Sequence, residues 1–275
     1  MPEFGARLAA VLADRGPICL GIDPHAYLLS RWGLADSAAG AREFGLRAVE
    51  AAADVIGIVK PQVAFFERHG SAGYAALEDV LGLARGRGLI AIADVKRGDI
   101  GSTVDAYGEA WLGIGGPLEA DAMTAVAYQG LGSLVGVLER AAAAGKGVFV
   151  LAATSNPEAE GVQQAMTAGQ ETVAASITRA VAARNAGSEL GDVGVVIGAT
   201  VDMTRFGISA DDLVSTPVLA PGFGEQGAAL ASLRDRYGTI ADHVVANTGR
   251  AILSGGPDEV AARLRLAVDE ARIRS

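Results

Sequence analysis

The stretch IADVKRGDIGST, residues 92–103, sets Asp94, Lys96, Arg97 and Asp99 within six positions at the end of an apolar run. Residues two apart on a strand point to the same side, so Asp94 and Lys96 are expected on one face. Lys60 closes another apolar run and can pair with Asp94 from the other side. Lys60, Asp94, Lys96 and Asp99 would then form an alternating row of charge. A lysine flanked by carboxylates is expected to be held protonated, because opposite charges favour the charged form. Such a row suits a reaction that needs a fixed field and a delivered proton rather than a nucleophile. A Schiff-base lysine would want a lowered pKa instead, from an apolar pocket or another cation.

A second group points to phosphate. The segment APGFGEQG, residues 220–227, carries glycines at 222, 224 and 227. These let backbone N–H groups turn toward a ligand, and a helix expected just beyond would add its positive end. Arg250, in NTGRAIL, could grip the same phosphate through two parallel hydrogen bonds. Metal ligation is poorly supported. His25, His69 and His243 have no paired spacing, and Cys19 is the single cysteine. A carboxylate site for Mg²⁺ stays open, although the neighbouring lysines disfavour it. Cys19 itself reads as a small buried hydrophobe.

These residues need elements to hold them. Eight short apolar runs, beginning near residues 18, 56, 89, 121, 147, 193, 216 and 243, alternate with Ala-rich segments of helical period. Nearly continuous apolar runs are how strands buried on both faces read. About eight strands and eight helices in 275 residues suit a single (β/α)8 barrel, an α/β fold, better than an open sheet. No linker or composition break appears, so residues 1–275 are expected to form one domain. The long connection over 156–192 has room for an extra loop or short helix before the helix near 170–187.

In such a barrel the chemistry sits where the strands end, and the reactive residue types cluster there. Asp23 ends the first run and Lys60 the second. Asp94 and Lys96 end the third, Thr154 and Ser155 the fifth, Pro221 the seventh, and Gly249 with Arg250 the eighth. The plainer alternative is that strand-end Asp residues cap turns and that the charged row is a salt-bridge network closing the barrel mouth.

The formal charge of −9 argues against nucleic acid as a main partner. No run approaches about 18 uncharged apolar residues, so no membrane span is expected. The N-terminal segment is amphipathic and lacks the layout of a signal peptide, so a cytoplasmic location is expected.

The segments LGIDPH (20–25), VKPQVAFFE (59–67), ADVKRGDIGST (93–103), LAATSNPE (151–158), LAPGFGEQG (219–227) and GRAIL (249–253) resemble orotidine 5'-phosphate decarboxylase of the mycobacterial, or type 2, form. The resemblance spans nearly the whole chain. It implies decarboxylation of orotidine 5'-monophosphate to UMP and CO₂, the last step of UMP synthesis, without metal or cofactor. By this likeness Lys96 would protonate C6 of the pyrimidine, Asp94 would sit beside the departing carboxylate, and Lys60 would orient Asp94. Asp23 would hold a ribose hydroxyl, Ser155 the pyrimidine edge, and Pro221 would pack near the ring. Gln226, Gly249 and Arg250 would hold the phosphate. The family's active site lies between the subunits of a homodimer, which would send Asp99, Ile100 and Thr103 into the neighbouring pocket. Two departures fall in MTAVAYQG, where Ala127 replaces an expected Pro and Gln129 an apolar residue.

Two other readings stay in view. A Mg²⁺-dependent sugar-phosphate decarboxylase or aldolase of the same barrel group would show a metal requirement. A non-catalytic phosphate-binding barrel would be expected to have lost part of the charged row.

Overall fold

The computed structural model describes residues 3–225 and 227–272. Eight parallel strands pair in chain order and close on themselves. They are β1 (Ile18–Ile22), β2 (Ile58–Pro61), β3 (Ile90–Arg97), β4 (Ala122–Ala125), β5 (Gly147–Ala153), β6 (Val193–Ile197), β7 (Val218–Pro221) and β8 (Val244–Thr248). Helices lie between successive strands, so this is the expected (β/α)8 barrel.

Strand alternation divides the apolar residues into two cores. Ile18, Leu20 and Ile22 of β1 face outward and pack in the layer shared with the helices. Cys19 of the same strand faces inward with Ile58, Ile92, Ala122, Phe149, Val196, Leu219 and Val245. The N-terminal helix Phe4–Arg15 closes the bottom of the barrel by adding Phe4, Leu8 and Leu12 to this inner core. The Phe4 ring meets Phe149 edge-on, with centroids 6.1 Å apart. Gly147 makes room, since a Cβ there would stand 2.4 Å from the Phe4 ring.

The elements differ from the sequence reading in strand length and after the Gly-rich loop, and match it in the long connection. β2 and β4 are shorter than their apolar runs, because Ile56 precedes the β1–β2 register and the chain leaves the β4–β5 ladder after Ala125. The 156–192 connection does hold an extra helical turn at Glu160–Gln163, ahead of the helix Val173–Arg184. The helix expected just beyond the Gly-rich loop is short, Leu233–Tyr237, and begins only after a 3₁₀ turn at Leu230–Ser232. The helix start that borders the cavity follows β8, at Gly249 and Arg250.

Candidate active site

Above the inner apolar layer the same alternation delivers polar side chains to the C-terminal mouth. Two residues past Ile58 stands Lys60, and two further stands Gln62. Two residues past Ile92 stands Asp94. They border one cavity together with Asp23, Lys96, Thr124, Pro221, Asn247, Gly249 and Arg250.

Asp94 is the centre of the cluster. Its Oδ2 accepts from Lys60 Nζ at 2.6 Å and from Gln62 Nε2 at 3.0 Å. Its Oδ1 accepts from Lys96 Nζ at 2.5 Å and from the Thr124 hydroxyl at 2.9 Å. A carboxylate offers about four acceptor sites, so this one is saturated. Lys60 is 3 % exposed and Asp94 7 %. Burial raises the pKa of Asp94, but the fields of Lys60 and Lys96 and their hydrogen bonds prevail and hold the carboxyl well below its usual range. Burial likewise disfavours the Lys60 cation, yet Asp94 and then Asp23 overcome it and hold Lys60 above its usual value. Cys19, one layer below, has its thiol pushed up to about 12 by burial, an effect that Lys60 only partly offsets. It is a neutral filler, as expected.

Lys96 shares the side of Asp94, as expected, but not along a regular strand. The β3–β4 register shifts between Ala93 and Arg97, and Lys96 takes the left-handed φ of +48°. A bulge of this kind re-aims a side chain. Lys96 reaches the cavity beside Asp94 through that bend.

A Gly-rich part of the cavity wall carries a cation. Gly222, Gly249 and Arg250 line it. Arg250 Nε lies 3.3 Å from Glu225 Oε2. Gly249 has no room for a side chain, since a Cβ there would meet the Gly21 carbonyl oxygen at 2.8 Å. Gly21 in turn leaves space for the Asn247 amide, which a Cβ would touch at 3.2 Å. Asp23 Oδ1 and Asn247 Oδ1 are buried acceptors without a hydrogen-bond partner. At the rim, burial lowers the pKa of His25; Arg250 and Arg68 add to this against Asp23 and Glu225.

The structure thus gathers Asp23, Lys60, Asp94, Lys96, Pro221, Gly249 and Arg250 of the residues expected from sequence. It leaves four of the others outside the cavity. Asp99 accepts from the Ile100 backbone N–H at 2.8 Å. Ile100 is 61 % exposed, and Thr103 also faces outward. Ser155 is exposed and borders a separate small hollow with Asn156 and Arg205. The four-member charge row is therefore a three-member row, Lys60–Asp94–Lys96, within one chain. Gln226 lies outside the described residues. Gln62, Thr124 and Asn247 are additions that the sequence reading did not contain; Gln62 was accessible, standing two positions past Lys60. No group of three or more metal-ligating side chains occurs among the described residues. Nor is any described helix long and apolar enough to cross a membrane.

The chain is similar to known proteins along most of its length. The model of the orotidine 5'-phosphate decarboxylase / HUMPS family matches residues 16–264. An orotidine 5'-phosphate decarboxylase of Salinispora tropica is 49 % identical over 264 residues, covering 96 % of this chain and 94 % of its own length. One from Streptomyces coelicolor is 46 % identical over 271 residues, covering 98 % and 95 %. Among solved structures, the OMP decarboxylase of Leishmania donovani superposes with a TM-score of 0.79 at 27 % identity, covering 98 % of this chain and 97 % of that one.

Proposed function

Because the chain belongs to the orotidine 5'-phosphate decarboxylase / HUMPS family, we propose that it converts orotidine 5'-monophosphate to UMP and CO₂, the closing step of UMP synthesis. The observation that carries this reading is the Lys60–Asp94–Lys96 row, with Lys60 and Asp94 buried and Lys96 open to the same cavity that Gly249 and Arg250 line. As the bond from C6 to the carboxylate breaks, its electron pair stays on C6. The Lys96 ammonium stabilises that charge and then delivers its proton there. Asp94 stands beside the departing CO₂ and, with Lys60, holds Lys96 in place. These charges are fixed before the reaction begins, so little reorganisation is needed as C6 becomes negative. Enzymes supply about 8–23 kcal/mol in total by such means, and no one residue here accounts for all of it.

Arg250, Gly249 and Gln226 hold the phosphate, far from C6. Binding energy gained there can be used to orient the ring and exclude water. Asp23, with its unpartnered oxygen, accepts from a ribose hydroxyl. Pro221 packs near the ring and Ser155 reaches the pyrimidine edge when its loop folds inward. Asp99, Ile100 and Thr103 complete the pocket of a second copy in a homodimer, which accounts for their lying outside the cavity of their own chain.

A Mg²⁺-dependent sugar-phosphate enzyme of the same barrel would instead leave orotidine 5'-monophosphate unchanged, with or without the metal. Purified protein is incubated with orotidine 5'-monophosphate in excess EDTA, and the loss of orotate absorbance is followed against a Lys96→Ala control. Rapid loss that the control lacks is the expected result. No loss from a folded dimer, with or without added Mg²⁺, would overturn the proposal.

A further inference from the structure

The bulge in β3 creates a difficulty that Thr124 resolves. From Ala93 to Arg97 the strand takes four steps, while β4 takes two from Met123 to Ala125. The ladder breaks across this interval. Lys96 sits within it with φ of +48°, a conformation that residues with a Cβ adopt at some cost. Its backbone N–H leaves the ladder and donates to the Thr124 side-chain oxygen at 2.9 Å. The same hydroxyl donates to Asp94 Oδ1 at 2.9 Å, the oxygen that Lys96 Nζ also binds. The proton placement follows from the groups involved. A carboxylate can only accept and a backbone N–H can only donate. Thr124 is 1 % exposed, so solvent has little access to its hydroxyl. One hydroxyl therefore links the main chain of Lys96 to the carboxylate that its own side chain grips.

We propose that Thr124 is a positioning residue for this reaction, holding the bend that aims Lys96 and fixing Asp94 Oδ1 beneath it; the inference rests on the decarboxylase reading above. A simpler role would be packing, since β-branched residues fit strands well. The two roles separate cleanly. Valine keeps the shape but leaves the Lys96 N–H without an acceptor and takes one of four donors from Asp94. Serine keeps the hydroxyl and loses only the methyl.

The test measures kcat with orotidine 5'-monophosphate and the Kd of UMP for the wild-type protein, Thr124→Val and Thr124→Ser. An inactive wild type would remove the reaction itself, and this is seen before any variant is compared. With an active wild type, Thr124→Val is expected to lose roughly 10²-fold in kcat, the scale of a small misplacement at a reacting centre. Its Kd for UMP should change by less than about threefold, because product binding does not use the aimed proton. Thr124→Ser should recover most of kcat. Wild-type turnover in Thr124→Val, or equal losses in Val and Ser, would overturn the proposal in favour of packing. If the valine protein does not fold, Thr124→Cys takes its place. Its thiol is a weak donor and acceptor, so it should fall well below serine; equal activity of the two would overturn the proposal as well.

Discussion

Lys60 and Asp94 form an ion pair at 2.6 Å with almost no exposure to solvent. Each opposes the other's tendency to lose its charge on burial. The depressed pKa of Asp94 fixes the sign of a pH effect. Below about pH 4, the ordinary carboxylate range, the unfolded chain binds this proton while the folded one resists it. The pair's contribution is complete above that range and is lost as pH falls beneath it. The raised pKa of Lys60 works the other way, so its contribution is complete below the ordinary lysine range and lost only at higher pH.

Asp94→Asn should therefore show a flatter stability profile in acid. Removing one partner of a buried pair costs about 3–5 kcal/mol near neutral pH. Below about pH 4 the wild-type slope should exceed that of the variant by up to about 1.4 kcal/mol per pH unit, the value for one proton. Denaturant unfolding from acid to neutral pH measures both. Identical slopes would mean that Asp94 is not the group resisting protonation.

The outward positions of Asp99 and Thr103 predict complementation between subunits. Lys96→Ala and Asp99→Ala should each be nearly inactive alone. Mixed and allowed to exchange, they should regain about a quarter of wild-type turnover, since random pairing gives one intact site in half of the dimers. Exchange is checked by mass-tagged subunits. Proven exchange without recovered activity would confine the site to one chain.

Arg250 meets a carboxylate of its own chain, Glu225, at 3.3 Å. A phosphate held by the guanidinium would share its donors with this carboxylate and be repelled by its charge. Arg250→Ala should weaken UMP binding about 10- to 100-fold, the scale of losing one or two charge-assisted hydrogen bonds. Both partners are partly exposed, and such pairs contribute about 1 kcal/mol or less. Glu225→Gln should thus tighten UMP by at most about fivefold. Titration calorimetry decides it, and weaker binding in Glu225→Gln would show that Glu225 supports the site instead of competing for it.

At the other end of the barrel, Phe4→Ala should cost about 3–5 kcal/mol of stability through lost contacts and a cavity. It should leave kcat unchanged, because the inner apolar layer separates Phe4 from the charged row. Urea unfolding and turnover on the same samples test the separation. A fall in kcat matching the fall in stability would show that the two ends are coupled.

Much of the site was open to a reading of strand ends. Lys60, Asp94, Arg250 and Asp23 each close an apolar run, and alternation assigns Asp94 to the inner face. Gln62 obeys the same rule, but an uncharged amide beyond a strand end carries no signal of its own. Thr124 could not be found this way. It sits within AMTA, where a lone hydroxyl reads as a strand former, and its role depends on which β3 residue the register sets opposite it.

The order of apolar runs and their length were enough to determine a closed barrel and the end at which its polar residues gather, because strand period and crossover length are local properties of the chain. The contacts of Lys60 and Lys96 with Asp94 are expected from strand ends and alternation; the further donors and the way Lys96 arrives were decided by the tertiary structure. Asp94 collects donors from β2, β3 and β4 only through the shear of the barrel, and Lys96 joins them through a bulge that interrupts the ladder. Asp99 stands three residues past Lys96, yet the turn after β3 carries it outward, away from the cavity of its own chain. Contacts of that kind depend on register and backbone bend across segments far apart in sequence, and neither is written in the residue types of any one strand.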